Sequence, residues 1–170
     1  MKFTCNTSVL AEACNIVQRG VPQKSTIPAT EGIFISAKNS KLTLTGYDLE
    51  VGSEIICDAD IHSEGRVVLN AKNLCDILRM VPADTVSVDC DDRNICKIKS
   101  GEAEYSLIGI DGNEFPELPT VTGGYPVVVE QKLLKDMVRQ TIFAVSVNDS
   151  KVVHTGVKFE VTQNLIRLVA

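Results

Sequence analysis

An α+β fold assembled from repeated strand–helix–strand units is what this sequence predicts, and three observations carry the prediction. Residues 3–46 superpose on residues 127–170 at a constant shift of 124, with no gap. A shorter shift of 64 lays residues 2–17 on residues 66–81. Within these segments apolar residues alternate where strands are expected and recur at helical spacing where helices are expected. Each domain therefore reads as two similar halves of strand, helix and three strands, with two helices packed on one side of antiparallel sheets.

The elements follow in order. Residues 2–6 alternate and read as a strand, and Asn6 is placed to cap the helix after it. Val9, Leu10, Ala13, Cys14 and Val17 supply that helix's apolar stripe. Gly20, Pro22 and Pro28 make 19–31 a loop. Strands are expected near 32–37, 41–46 and 50–58. The second half repeats the plan: strand 65–69, Asn70 as cap, helix 71–80 ended by Pro82, and strands near 85–90, 94–99 and 103–108. Turn residues dominate 109–125 (Asp111-Gly112-Asn113, Phe115-Pro116, Leu118-Pro119, Gly123-Gly124), which reads as a linker. Strand 126–129 and helix 131–142 then open the second copy. Two domains result, 1–120 and 121–170, the second incomplete. The last residues, Ile166 to Ala170, fall inside an expected strand, so the chain reads as an N-terminal fragment.

Composition narrows the functional classes. The chain has 170 residues, 44% hydrophobic and 23% charged, with a net charge of -5, which excludes a wholesale polybasic binder. Apolar runs are too short to span a bilayer, and the N-terminus lacks the apolar core of a signal peptide. A cytoplasmic location and reduced thiols are expected. Cys5, Cys14, Cys75 and Cys90 occupy positions that call for small apolar residues. No cysteine pair has CxxC spacing and only His62 and His154 could assist, so no metal is expected. Asp58/Asp60 and Asp89/Asp91/Asp92 read as solvated turn residues. The sequons at Asn6 and Asn148 read as chance matches. No nucleophile elbow, phosphate loop or zinc motif occurs, and neither catalytic residues nor cofactors are expected.

Charge is segregated. The three helices and the first loop (7–24, 70–80, 130–142) hold seven basic and four acidic residues, a sum of +3, and the remainder sums to -8. Lys72, Asp76 and Arg79 lie at i, i+4 and i+7; Lys132, Lys135, Asp136 and Arg139 line one side of the third helix. Taken alone, this pattern suits ordinary solvated helix faces. The repeat changes the balance, because it sets similar faces side by side and points to a phosphate-facing surface.

At these residues the chain resembles the bacterial sliding clamp, the beta subunit of DNA polymerase III. The resemblance rests on Met1-Lys2-Phe3, on Ile27-Pro28 before Gly32-Ile33-Phe34-Ile35-Ser36-Ala37, and above all on Leu42-Thr43-Leu44-Thr45-Gly46-Tyr47-Asp48-Leu49-Glu50. Phe115 to Pro119, Gly156 to Glu160 and Leu165 to Ala170 add to it. It implies the DNA-clamp fold and a head-to-tail homodimeric ring around duplex DNA, a processivity factor that tethers the replicative polymerase. The implied partners are duplex DNA, a second subunit, DNA polymerase and the clamp loader, with no membrane. Lys24, Lys72 and Asn148 match positions that approach DNA; the facing argument adds Arg79, Lys132, Lys135 and Arg139. Ile77, Tyr105 and Leu107 match the apolar edge that meets the other subunit. Val152 and His154 fall at the rim of the family's partner-peptide pocket, His154 standing where an apolar residue is expected. The competing expectation is a homo-oligomeric scaffold that binds no DNA, with the helix faces buried against protein.

Overall fold

The computed structural model describes residues 1–120, 122–124, 126–148, 150–163 and 165–170. The chain divides into two compact units, Met1–Thr120 and Val121–Ala170.

In the first unit the elements run β1 (Lys2–Asn6), α1 (Thr7–Val17), β2 (Gly32–Lys38), β3 (Lys41–Tyr47), β4 (Gly52–Asp58), β5 (Asp60–Ser63), β6 (Gly65–Asn70), α2 (Ala71–Met80), β7 (Thr85–Cys90), β8 (Ile95–Ser100), β9 (Ala103–Ile108) and β10 (Ile110–Asp111). They form two five-stranded sheets, ordered β5-β1-β7-β8-β9 and β10-β6-β2-β3-β4. Every pairing is antiparallel. The two halves exchange their first strands. β1 leads the sheet built by the second half, and β6 leads the sheet built by the first. Neither half completes a sheet alone, so the halves fold as one body.

One core joins the inner faces of both sheets to the two helices. Phe3, Leu10, Ile33, Ile35, Leu42, Leu44, Leu69, Leu74 and Ile98 are its largest fully buried side chains. Each contributes about 1.5–3 kcal/mol through burial. Both helices start on an asparagine. The Asn6 side chain accepts from the Ser8 and Val9 amides at 2.9 and 3.3 Å, and Asn70 accepts from the Asn73 amide at 3.0 Å.

The structure corrects several expectations. β5 and β10 were not foreseen; each extends a sheet at one edge, and β5 contains His62. The expected linker is largely a strap over the sheet. Ile110 and Asp111 pair with β6, Gly112–Glu114 make a 3₁₀ turn, and the Phe115 ring stacks on Phe34 at 5.1 Å. Its turn residues serve tight contact: a Cβ on Gly109 would meet Val67 Cγ2 at 2.6 Å and the Val68 carbonyl at 2.9 Å. The strand expected from residue 50 starts at Gly52, because Asp48 accepts from the Glu50 and Val51 amides and Leu49 turns with φ 77.

Thiol chemistry differs as well. Cys90 and Cys96 form a disulfide, where reduced cysteines were expected. They are the one pair of cysteines close in sequence, and the β7–β8 register sets them directly opposite with Cα atoms 4.0 Å apart. Cys5, Cys14 and Cys75 are free and buried, as expected of core residues, and Cys57 is free and half-buried. Burial, with help from nearby Cys57, pushes the Cys5 thiol up to about 12.

The second unit holds α3 (Gln131–Thr141), β11 (Lys158–Val161) and β12 (Ile166–Val169). Residues 126–130 form no strand, contrary to expectation: β1, their counterpart, pairs with 60–63 and 85–90, whose equivalents at +124 lie outside this sequence. The helix expected over 131–142 ends at Thr141, and Ile142–Ala144 turn as a 3₁₀ segment. The helix and the 3₁₀ turns keep the repeat residue for residue, and the strands are shorter than their counterparts. α1 and α3 differ by 124, as do the 3₁₀ turns Gln18–Gly20 and Ile142–Ala144, and Pro28–Glu31 and Val152–Thr155. Even strand register survives: Ile35 faces Leu44, and Phe159 faces Leu168. Among the described residues no helix is long and apolar enough to cross a membrane, and no cluster suits a metal ion.

Candidate nucleic-acid interface

α1 and α2 pack beside one another on the first unit, and their seam ends in a polar bridge. Arg79 donates to Asn15 across the seam at 3.1 Å and to Asp76 on its own helix at 3.1 Å. Asn15 and Arg79 are equivalent under the shift of 64. The bridge joins like positions of the two halves, at the seam where α1 and α2 pack side by side. Asn15 and Arg79 are both exposed, so the polar sides of the two helices adjoin at this seam. The arrangement that would have refuted a shared helical face, with α1 and α2 on opposite sides of the unit, does not occur.

The exposed residues of this face are Ser8, Glu12, Asn15 and Arg19 from α1 and the turn after it, and Lys72, Asn73 and Arg79 from α2, with Asp76 half-buried. Lys24 is exposed in the loop after α1. Among the described residues Lys24 and Lys72 make no ion pair, whereas the Arg79 guanidinium is occupied on two sides. Arg79 thus holds the seam first and offers less of its charge outward than its sequence position suggests. Between the 18–24 loop and the start of α2 lies an open cleft of about 740 Å³, lined by Asn15, Gln18, Arg19, Gln23, Lys72 and Asn73 among others. Its donors are cations and amides, groups that meet phosphate oxygens without reading bases, and the one carboxylate in its lining, Glu31, accepts from the Ser25 amide. Asn15 and Arg19, one turn beyond it, continue the polar side that the first helix shows in sequence; Gln18, Gln23 and Asn73 carry no charge and had left no signal.

In the second unit Lys132, Lys135, Asp136 and Arg139 are exposed on α3, and Asn148 is exposed beyond it. Asn148 is the +124 counterpart of Lys24, so the two loop residues occupy one position of the repeat. His154 lines a cleft of about 530 Å³ with Ala144, Ser146, Lys158 and Val169. The His154 carbonyl accepts from the Ser146 amide at 3.0 Å, and its own amide donates to the Lys151 carbonyl at 3.0 Å. Val152 is 80% exposed and lies outside that lining.

The remaining candidates lie apart from the helical face. β9 is an edge strand, and its Tyr105 and Leu107 are half-buried against the core. Ile77, 8% exposed, belongs to the core itself. A strand edge with apolar residues behind it is a site for strand addition.

Comparison with known proteins decides the family. The pattern of the DNA polymerase III beta subunit N-terminal domain matches residues 1–119. The chain belongs to the DNA polymerase III beta subunit family. It is 32% identical to the beta sliding clamp of Halalkalibacterium halodurans, over all of this chain and 47% of that relative. It is 32% identical to the beta sliding clamp of Bacillus subtilis, over 96% of this chain and 46% of the relative. The crystal structure of the DNA polymerase sliding clamp from Bacillus subtilis superposes with a TM-score of 0.93 at 31% identity, over 99% of this chain and 46% of that one. The Pseudomonas aeruginosa sliding clamp gives 0.93 at 25% identity, over 100% and 46%. The fold is the α+β clamp fold. The chain spans about half the length of the relatives it matches.

Proposed function

We propose that this chain supplies the first domain and part of the second of a sliding clamp, a processivity factor that encircles duplex DNA and tethers a replicative polymerase in the cytoplasm. Its role is mechanical and not catalytic. The observation that carries the reading is the paired helical face, where α1 and α2 stand side by side with Lys24 and Lys72 exposed and, among the described residues, in no ion pair. The relatives' description as sliding clamps supports the same reading.

The physics of a clamp explains the modest charge of that face. A ring must hold DNA and still slide, so contacts to base edges would pin it, and contacts to phosphates and through water would not. Glu12 and Asp76 temper the cations. Retention then comes from closure of a head-to-tail homodimer, not from strong local attraction. Tethering raises the polymerase's effective concentration at the primer end. In this scheme Lys24, Lys72, Arg79, Lys132, Lys135, Arg139 and Asn148 face DNA. The β9 edge with Tyr105 and Leu107, backed by Ile77, meets the second subunit. The His154 cleft, with Val152 nearby, receives peptides of polymerase and clamp loader.

The test is duplex affinity as a function of salt, for the wild-type chain and for the double variant Lys24→Ala, Lys72→Ala. Each phosphate contact contributes a slope of about 0.9 in log K against log salt, or roughly 3.5-fold in affinity between 50 and 200 mM. Loss of two contacts reduces the slope by about 1.8. An unchanged slope would remove these residues from the interface.

A further inference from the structure

We propose that Cys90 and Cys96 form a redox-sensitive staple that controls the order of the exposed edge strand β9. One row of residues crosses the sheet. The Met1 ammonium donates to the Cys90 carbonyl at 3.0 Å, and the Cys90 amide donates to the Met1 carbonyl at 2.8 Å. Cys90 faces Cys96 on β8, and Cys96 faces Leu107 on β9. The disulfide is the one covalent link in this row, and it sits directly behind the residue that closes the edge.

The surroundings bind the staple to β9 from a second side. Asp91 accepts from the Arg93 and Ile95 amides at 2.9 Å each and forms the β7–β8 turn. The Asn94 carbonyl in that turn accepts from the Gly109 amide at 2.8 Å, just past the end of β9. β9 has a strand neighbour on one side only, so its order depends on β8 and on this turn. Cys90 and Cys96 are 6% and 0% exposed, and a small thiol reaches them when the edge strand opens.

The chemistry is ordinary exchange. A small thiolate attacks one sulfur of the pair, forming a mixed disulfide and releasing the other cysteine as a thiolate that takes up a proton. A second small thiolate then attacks the mixed disulfide. It leaves as the small-molecule disulfide and frees the first cysteine, which is protonated in turn. Two electrons enter the protein, and two small thiols become one disulfide. The reverse reaction with a small disulfide restores the staple. Reduction removes the covalent tie between β7 and β8 while their ladder and turn remain, and it loosens the row that ends at Leu107. A consequence for subunit closure rests on the proposed ring; the effect on β9 does not.

The experiment uses the whole chain, purified without reductant, then held with or without dithiothreitol. Quenching in acid and denaturing with N-ethylmaleimide counts the thiols by peptide mass. Hydrogen exchange reads residues 103–108 under the same two conditions. The expected result is alkylation of Cys5, Cys14, Cys57 and Cys75 at once, of Cys90 and Cys96 only after reduction, and exchange at 103–108 quickened on the order of tenfold by reduction. The double variant Cys90→Ala, Cys96→Ala, if it folds, loses this response; if it does not fold, the wild-type comparison stands alone. Alkylation of Cys90 and Cys96 without reduction overturns the proposal. So does release of both thiols with exchange at 103–108 unchanged. DNA binding is read separately, so the clamp reading and the staple can fail independently.

Discussion

Gly46→Ala tests how α1 is seated, and therefore how the loop carrying Lys24 is held. Gly46 is buried in β3, where the end of α1 crosses the strand. A Cβ there would lie 2.4 Å from the Val17 carbonyl oxygen, 3.0 Å from Val21 Cγ2 and 3.1 Å from Val17 Cγ1. The first neighbour is backbone and the others are β-branched, so none can swing away; the last turn of α1 must move by roughly an ångström. Overpacking of this kind costs about 1–3 kcal/mol. With an unfolding entropy of about 2.1 cal/mol/K per residue over the first unit, that lowers its melting temperature by about 4–12 °C. Far-UV circular dichroism reads the shift. Gly156→Ala is the control, since a Cβ there meets nothing within 4 Å, and its expected change is within about 0.5 kcal/mol. Equal melting of Gly46→Ala and wild type would refute the close crossing of α1 over β3.

Other outcomes follow from single groups. Asn70→Ala removes the cap on α2 and should cost about 1 kcal/mol, read as an earlier urea midpoint; an unchanged midpoint would mean the Asn73 amide is satisfied otherwise. The Cys5 thiol, raised to about 12, stays protonated in the folded chain while the unfolded chain ionises above about 8.5. Stability should therefore fall as pH rises from that point towards 12, and Cys5→Ala should flatten the decline. Lys2 hydrogen-bonds Asp89 and holds its carboxyl below the usual range. That contribution is present above about pH 4 and is lost as pH falls through the lowered value, so Asp89→Asn should show a shallower acid loss of stability.

Much of this molecule was legible because its signals are local and repeated. Asn6 and Asn70 each precede an apolar helical stripe, and both cap. The shift of 124 held through α1 and α3, through two 3₁₀ turns and through the register of two hairpins, because equal spacing of apolar residues demands equal geometry. What stayed hidden depends on long-range pairing. The exchange of β1 and β6 between sheets leaves no mark in either strand, since each is buried against whichever neighbour arrives. β5 and β10 are short edge strands whose pairing is decided by the sheets they join. Cys90 and Cys96 are the one pair of cysteines close in sequence, but only the β7–β8 register sets them directly opposite. The helical face was partly readable: the charges of Lys72 and Arg79 were visible, but not that Asn15 occupies the Arg79 guanidinium.

The most direct test of the central claim is an NMR titration of the isotopically labelled chain with a short duplex at low salt. The account predicts shift changes gathered at Lys24, Lys72, the first turn of α2, the exposed side of α3 and Asn148, with β7 to β9 silent. Changes concentrated on the sheets, or none at all at low salt, would contradict it.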